Sequence, residues 1–327
     1  MSFSFIFPGQ GSQAPGMGKF LFDEFAIARN TFEEASDALS INLKKLCFEG
    51  GEQELALTEN TQPALLTTSV ATARVLKTTF GLKSSATAGH SIGEYSSFVE
   101  GGVFSFPDAV CAVRNRGQYM QSAVPVGEGG MTATLGLGEA QVMFLCQWTQ
   151  EQSGYKPVNA ANFNCDGQIV ISGSLKALNW LKDNFKPEIF TENGLPEPRR
   201  AKLIPLQVSA PFHCDLMKPA EEKMRAFLNG VNFQNSCLPI FQNFHAKAET
   251  DALILKENLI KQVSGSVKWT QSMLAMKQAG HRRFIECGHG GVLKGLLKKI
   301  DAEFEVFSTQ NLDDLKLIEK LIEAAQK

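Results

Sequence analysis

The sequence carries almost no excess of charge of either sign. Its 327 residues include 32 lysines and arginines against 34 aspartates and glutamates, a formal net charge of −2. A chain this close to neutrality has no global field that would attract nucleic acid or an acidic membrane. Any anionic ligand must therefore be held by local charges, and we expect neither nucleic acid nor a membrane among the partners.

Long apolar runs and paired cysteines are also missing. Residues 1–13 lack a basic segment and their apolar stretch breaks at Pro8, so they do not resemble a secretory signal. No other apolar run is long enough to span a bilayer. The seven cysteines are scattered, without a C-x-x-C pair, which favours reduced thiols over disulfides or a zinc site. These absences predict a cytoplasmic location and no bound metal.

The composition is that of a folded globular chain, with 43% hydrophobic and 20% charged residues. Residues 129–206 show the pattern β-α-β-β-α-β, which is the order of a ferredoxin-like unit. We therefore predict an α/β fold in which residues 1–128 and 207–327 form a large domain. Residues 129–206 are predicted to form a small subdomain inserted into it.

Three local predictions concern the large domain. Apolar periodicity predicts one continuous helix over residues 22–39. Pro63 is expected in the first turn of a helix that ends near Thr79, because proline is favoured at that position. Residues 239–244, PIFQNF, are expected to form a strand.

A G-x-S-x-G sequence occupies residues 89–93. A nucleophile on a sharp turn from strand to helix needs small flanking residues, because larger side chains do not fit there. The Ser91 hydroxyl would then lie at a helix N-terminus, where the N–H of Ile92 can stabilise an oxyanion. The alternative is a glycine-rich turn with an idle serine. The strand-like residues before the motif and the amphipathic stretch after it favour the nucleophile.

A serine nucleophile needs a base, and the chain has five histidines. His90 adjoins Ser91, but neighbours on a tight turn usually diverge. His213 lies on a predicted loop between a strand and a helix, a placement that suits a catalytic group, although a structural histidine is the alternative. No acid is clearly available to orient it, because Asp215 is too close in sequence. A backbone or amide carbonyl is the other candidate, and spacing alone does not decide.

Taken together, these motifs resemble the malonyl-CoA:acyl carrier protein transacylases of fatty acid synthesis. The resemblance covers nearly the whole chain. It rests on nine segments in order: FPGQGSQ (7–13), TQPALL (61–66), GHSIGEYS (89–96), RGQYMQSAVP (116–125), NFN (162–164), GQIVISG (167–173), APFHCDLMKPA (210–220), VKW (267–269) and GHGGVL (288–293).

The resemblance implies a role for each matching residue. It makes Ser91 the nucleophile, His213 the general base and acid, and the N–H groups of Gln10 and Ile92 the oxyanion hole. It makes Arg116 the residue that pairs with the free malonyl carboxylate, for which a planar guanidinium is well suited. For an isolated arginine on a helix, a solvated surface charge is the alternative.

Further implications concern the pocket and the partners. The resemblance places Asn162 near the acyl group and makes Gln262 the residue whose carbonyl orients the histidine. Phe212 before the histidine agrees with malonyl selection. It also implies a hydrolase-like α/β core with a ferredoxin-like insert, and an active site in the cleft between them. The implied partners are malonyl-CoA, which is a substrate rather than a cofactor, and acyl carrier protein. The oligomeric state stays open, and a monomer is compatible with the sequence.

Three other functions use or resemble parts of this machinery. A thioesterase uses the same serine machinery and differs in letting water reach the acyl-enzyme. A trans-acting polyketide acyltransferase uses the same residues with a different carrier. A catalytically silent scaffold predicts loss of Ser91, His213 or Arg116, and all three are present. Nucleotide binding lacks support, because neither a full GxGxxG nor GxxxxGK[ST] occurs.

Overall fold

The computed structural model describes residues 2–326, which fold into strands and helices that alternate along the chain. The strands are β1 (Phe3–Phe7), β2 (Ser84–Gly89), β3 (Gly129–Leu135), β4 (Val158–Cys165), β5 (Gln168–Ser174), β6 (Lys202–Pro205), β7 (Ile240–Phe241), β8 (Ala248–Glu249), β9 (Arg283–Glu286) and β10 (Glu305–Phe307).

The helices range from one to six turns. They are α1 (Lys19–Glu24), α2 (Ala26–Leu39), α3 (Leu43–Glu49), α4 (Glu52–Ala56), α5 (Thr58–Thr79), α6 (Gly93–Glu100), α7 (Phe106–Ser122), α8 (Glu139–Ser153), α9 (Leu175–Asn184), α10 (Glu188–Glu192), α11 (Lys218–Asn229), α12 (Ala252–Lys261), α13 (Trp269–Gln278), α14 (Val292–Ile300) and α15 (Leu312–Gln326), with a 3-10 turn at Asp215–Met217. No helix of residues 2–326 is long and apolar enough to cross a membrane.

The larger sheet has the strand order β10-β9-β1-β2-β7-β8, parallel except for β8. Its centre is β1, in which every residue is buried because helices cover both faces of the sheet. Phe3, Phe5 and Phe7 join a core with α2, α5 and α7. Ile6 faces the other way and packs with Trp269 of α13 and other residues of α13 and α14. The alternation of side chains along β1 thus anchors two helical layers.

The smaller sheet is antiparallel, with the order β4-β5-β3-β6. This order and the elements β3-α8-β4-β5-α9-β6 are those of a ferredoxin-like unit, with the short helix α10 added between α9 and β6. Ile169 and Ile171 pack with α8 and α9, while Val170 between them faces the large core. A bridge between Asn162 and Val267 joins the two parts. The predicted α/β class with a smaller second unit is confirmed, while the domain boundaries at 128/129 and 206/207 stay a prediction.

The prediction of one helix over residues 22–39 is wrong, because α1 ends at Glu24 and α2 begins at Ala26. Phe25 between them is extended, with φ −120° and ψ 121°. The side chain of Arg29 donates to the carbonyls of Phe22 and Asp23, at 3.0 Å each. These bonds satisfy carbonyls that the interrupted helix leaves free.

The prediction that Pro63 lies in the first turn of a helix is also wrong. Helix α5 begins at Thr58, so the proline lies inside it. A proline there leaves the carbonyl four residues earlier without its N–H donor. Arg114 on α7 replaces that donor, because its Nη1 donates to the carbonyl of Glu59 at 2.8 Å.

The strand expected at residues 239–244 is shorter than predicted, because β7 comprises only Ile240 and Phe241. Gln242 and Asn243 leave the ladder and place their side chains in a buried hydrogen-bond network. Both are fully buried. The carboxyl end of β7 therefore supplies polar groups to the interior rather than continuing the sheet.

Candidate active site

Ser91 stands on the sharp turn between β2 and α6. Its φ is 52°, in the left-handed region that non-glycine residues rarely adopt. The glycines on either side are required by space. A Cβ on Gly89 would lie 2.0 Å from the carbonyl carbon of Gly93, and one on Gly93 would lie 2.2 Å from the carbonyl oxygen of Phe7. The G-x-S-x-G spacing thus forms the strained turn that presents a serine hydroxyl.

The hydroxyl of Ser91 meets the imidazole of His213, with 2.7 Å between Oγ and Nε2. On the other side of the ring, Nδ1 lies 2.9 Å from the carbonyl oxygen of Gln262 and 3.1 Å from that of Gly265. Carbonyl oxygens only accept, so Nδ1 carries the proton of the neutral ring and Nε2 is free to accept the serine proton. Two backbone carbonyls therefore orient the histidine. Asp215 instead pairs with Lys218 on the surface.

Burial is the main reason that the pKa of His213 falls to about 3, and the positive charge of Arg116 lowers it further. The hydrogen bonds from Nδ1 to the two carbonyls act in the opposite direction. The histidine is 3% exposed. It is therefore neutral at physiological pH, which is the state that a general base requires.

Arg116 on α7 is the third group at this point. Its Nη2 donates to Ser91 Oγ at 3.1 Å and to the side-chain oxygen of Gln262 at 3.0 Å. Its Nη1 donates to the side-chain oxygen of Gln62 at 3.0 Å, while its Nε is buried without a partner. The residue is 1% exposed, and burial lowers its pKa. Within residues 2–326 this buried guanidinium has no carboxylate in ion-pairing contact, an arrangement that costs several kcal/mol.

Arg114, two positions earlier on α7, has a different environment. Besides the carbonyl of Glu59 it contacts the carboxylate of the same residue, at 3.5 Å, and the side chain of Asn60, at 2.5 Å. A quarter of its side chain is exposed. Arg114 therefore stabilises helix α5 around Pro63, and it does not line the cavity beside Ser91.

Two backbone N–H groups beside the serine are free to bind an anion. Gln10 follows β1, and Ile92 immediately precedes α6; both residues line the cavity next to Ser91. Neither N–H has a backbone acceptor within residues 2–326. The N–H of Ser91 itself is occupied, because it donates to the side chain of Asn243 at 2.7 Å. The free pair is therefore the one available to a developing oxyanion.

The cavity around these groups has a volume of about 350 Å³. It lies between the two sheets, and the smaller sheet contributes Asn162, Met131 and Val170 to its wall. Phe212 and the segment after β6 close another side. All seven residues selected from the sequence are close to this space: Ser91, His213, Gln10, Ile92, Arg116 and Asn162 line it, and Gln262 is bonded to three of the others.

His90 also lines the cavity but does not contact the Ser91 hydroxyl. Its Nε2 is 2.8 Å from the side-chain oxygen of Asn164, and its ring packs edge-on against Trp269. Burial lowers its pKa. The side chains of His90 and Ser91 therefore diverge on the turn, as expected from the sequence.

Within residues 2–326, no group of three or more histidine, cysteine, aspartate or glutamate side chains is placed to hold a metal ion.

The chain is similar to known acyl transferases. Residues 4–303 match the acyl transferase domain family. A malonyl CoA-acyl carrier protein transacylase of Bacillus subtilis is 41% identical over 314 residues, 96% of this chain and 95% of that protein. The chain belongs to the malonyl CoA-acyl carrier protein transacylase family.

Solved structures of the transacylase family share the whole fold. An acyl-carrier-protein S-malonyltransferase from Burkholderia pseudomallei superposes with a TM-score of 0.89 at 40% identity, covering 98% of this chain and all of that one. A malonyl-transacylase in complex with a type II PKS acyl-carrier protein superposes with a TM-score of 0.89 at 36% identity, with the same coverage.

Several residues around this transacylase-family site were not singled out from the sequence. Gln62 supports Arg116, and Asn243 and Glu94 lie behind Ser91. Burial raises the pKa of Glu94 to about 7, against the lowering effect of the hydrogen bond from the Asn243 N–H. Gln62 and Glu94 occur within the motifs TQPALL and GHSIGEYS, which was the only available signal. Asn243 had none, because it was expected in a strand.

Proposed function

We propose that this chain transfers a malonyl group from malonyl-CoA to the pantetheine thiol of acyl carrier protein, through an ester on Ser91, and so supplies fatty acid synthesis. The observation that carries the proposal is the buried guanidinium of Arg116, 3.1 Å from Ser91 Oγ and without a carboxylate partner in residues 2–326. A malonyl group brings the missing carboxylate to the nucleophile. The names of the relatives in Bacillus subtilis and Burkholderia pseudomallei agree with this assignment.

In the first half of the reaction, Ser91 Oγ attacks the thioester carbonyl while His213 Nε2 takes the hydroxyl proton. The carbonyl oxygen becomes an oxyanion, which accepts hydrogen bonds from the N–H groups of Gln10 and Ile92. The tetrahedral intermediate collapses, the C–S bond breaks, and the protonated imidazole gives its proton to the departing CoA sulfur. The malonyl carboxylate remains paired with Arg116 throughout.

The second half reverses these steps with a new thiol. Neutral His213 takes the proton of the pantetheine thiol, and the sulfur attacks the Ser91 ester carbonyl. The same two N–H groups hold the oxyanion, and the Ser91 oxygen leaves with the proton from the imidazole. The thioester substrate supplies the reactive acyl group, and the scheme uses no metal or cofactor. We place the reaction in the cytoplasm, in agreement with seven free cysteines.

Intact-protein mass spectrometry tests the covalent step. After brief exposure to malonyl-CoA, we expect the wild-type protein to gain the mass of one malonyl group on Ser91. Ser91→Ala should gain none, and a malonyl adduct retained by that variant would overturn the role of Ser91. Addition of acyl carrier protein should then remove the adduct from the wild-type protein. Release into water at the same rate without carrier would instead indicate a thioesterase.

A polyketide acyltransferase is the second candidate. The observation in its favour is the full-length similarity to a malonyl-transacylase bound to a type II PKS acyl-carrier protein. The two candidates share every step above and differ in the carrier. Transfer rates to a fatty-acid carrier and to a polyketide carrier, compared at equal concentration, distinguish them. Faster transfer to the polyketide carrier would favour the second candidate.

A further inference from the structure

A single side chain spans the turn that holds the nucleophile. The carboxamide oxygen of Asn243 accepts the N–H of Ser91 at 2.7 Å, and its nitrogen donates to the carbonyl of Gly89 at 2.8 Å. Asn243 follows β7, while Gly89 ends the neighbouring strand β2. One planar amide thus bonds backbone groups on both sides of His90 and couples the turn to the next strand of the sheet.

These two bonds lie where the backbone is strained. Ser91 has a φ of 52°, which a non-glycine residue adopts only when its surroundings hold it there. The side chain of Gln262 adds a third bond, since its nitrogen donates to the carbonyl of Ser91 at 2.9 Å. Asn243 fixes the N–H side of the serine and Gln262 fixes the carbonyl side. The direction of the Cα–Cβ bond, and with it the position of Oγ, follows from both.

Asn243 is itself held by a buried carboxyl group. Its backbone N–H donates to Glu94 on α6 at 2.7 Å, and Gln242 donates to the other carboxyl oxygen at 3.1 Å. Asn258 completes this chain of contacts by donating to the side chain of Gln242 at 2.9 Å. Glu94 and Asn243 are fully buried. Glu94 does not line the cavity, but its backbone N–H donates to the Ser91 carbonyl at 3.1 Å, so it supports the turn both directly and through Asn243.

We propose that Asn243 is a positioning residue, whose carboxamide holds the Ser91 turn so that Oγ faces His213, and that Glu94 anchors Asn243 from behind. This proposal rests on the proposed function, in which Ser91 is the nucleophile. It also accounts for the selection of Ile92 rather than Ser91 as an N–H donor for the oxyanion, because Asn243 already occupies the N–H of Ser91.

The test is the reactivity of Ser91 in Asn243→Ala, measured with a fluorophosphonate probe and with malonyl-CoA. A misplacement of about 1 Å at a reacting centre costs about 100-fold. We therefore expect the labelling rate and kcat each to fall by about 100-fold. KM for malonyl-CoA should stay unchanged, because Arg116 keeps its bonds to Gln62 and Gln262.

Asn258→Ala is the matched control, because it removes a buried amide from the same network without touching the turn. Its Tm should fall while its labelling rate stays that of the wild-type protein. If Asn243→Ala does not fold, the isosteric Asn243→Asp keeps an acceptor for the Ser91 N–H but loses the N–H donor to Gly89. Its kcat should fall with KM unchanged, and a wild-type kcat would overturn the proposal.

Two further outcomes separate the proposals. A labelling rate and kcat in Asn243→Ala no lower than those of the Asn258→Ala control would contradict the positioning role and leave Ser91 as the nucleophile. Absence of any labelling in the wild-type protein would contradict Ser91 as nucleophile, and both proposals would then fail.

Discussion

The two sides of the cavity are built differently. On the side of the larger sheet, Ser91, His213 and Arg116 are buried and bonded to one another or to nearby carbonyl and amide groups. On the side of the smaller sheet, the wall consists of two apolar side chains, Met131 and Val170, and two uncharged amides, Asn162 and Asn164. The larger unit thus holds the reacting groups in fixed geometry, while the smaller unit shapes the space that the acyl group fills.

Loss of the general base should have the largest effect on kcat, because it removes one of the reacting groups on the side of the larger sheet. His213→Ala removes the acceptor of the Ser91 proton, and we expect kcat for malonyl transfer to fall roughly 10⁴- to 10⁶-fold. Stopped-flow assays of CoA release measure this. His245→Ala, which alters a half-buried histidine outside the cavity lining, is the control. A His213→Ala rate within tenfold of the control would contradict the assigned base.

Loss of the arginine comes next and should change selectivity. Truncation of one partner of a buried charge pair costs about 2–5 kcal/mol, so Arg116→Ala should lower kcat/KM for malonyl-CoA by roughly 30- to 5,000-fold. Transfer from acetyl-CoA should be spared or improved, because acetyl has no carboxylate to pair.

Arg114→Ala is the matched control on the same helix. It leaves the carbonyl of Glu59 without a donor, so it should lower the free energy of unfolding by about 1 kcal/mol without changing the malonyl-to-acetyl ratio. Equal losses for malonyl and acetyl transfer in Arg116→Ala would show that Arg116 has only a structural role.

The pH dependence of kcat/KM reports the ionisation of His213 in the free enzyme, and that of kcat reports it in the substrate complex. Burial and the charge of Arg116 lower the pKa of His213 to about 3. As the pH falls past 6.5, where an unperturbed histidine would become protonated, kcat/KM should therefore stay constant. As the pH falls, His213 binds a proton in the unfolded chain before it does so in the folded protein. The free energy of unfolding that depends on neutral His213 is therefore fully present above pH 6.5 and is lost as the pH falls toward 3.

Substrate binding should shift the acid limb of the pH profile, which is the pH range where activity falls because His213 becomes protonated. A bound malonyl carboxylate offsets the charge of Arg116, so the acid limb of kcat should lie at higher pH than that of kcat/KM. Arg116→Gln should also raise the limb of kcat/KM for acetyl transfer. Profiles of both constants between pH 4 and 8 show whether kcat falls at a pH where kcat/KM is still constant, and a kcat/KM limb at pH 6.5 in the wild-type protein would contradict the burial argument.

The smallest effect is expected on the side of the smaller sheet. Asn162→Ala removes one polar group from the cavity wall, and the typical net value of a hydrogen bond is about 0.5–1.5 kcal/mol. We expect kcat/KM for malonyl-CoA to fall by roughly 2- to 13-fold, with the rate of fluorophosphonate labelling of Ser91 unchanged. A loss as large as that of His213→Ala would place Asn162 among the reacting groups.

The sequence predicted the reacting groups better than their supports. Ser91, His213 and Arg116 lie in motifs whose residue types suit a definite chemistry. The structure places nitrogen atoms of His213 and Arg116 2.7 and 3.1 Å from the Ser91 hydroxyl oxygen. Asn243 lies in no motif, and Gln62 lies in TQPALL without a chemistry of its own, because a buried amide gains its role only from neighbours that are distant in the chain.

The errors in secondary structure have a similar cause. The break at Phe25 and the early start of α5 both depend on side-chain donors, Arg29 and Arg114, that satisfy carbonyls outside their own turn. Local periodicity does not contain these contacts. The order of elements in residues 129–206 was predictable apart from the short helix α10, because alternation of apolar residues and turn chemistry determine it locally.

A crystal structure of the malonyl-loaded protein tests the central assignment most directly. We predict an ester on Ser91 Oγ whose carboxylate accepts two hydrogen bonds from the Arg116 guanidinium, with the ester carbonyl oxygen facing the N–H groups of Gln10 and Ile92. A malonyl group whose carboxylate lies in solvent or on another cation, with Arg116 still bonded as it is in the unloaded protein, would contradict it.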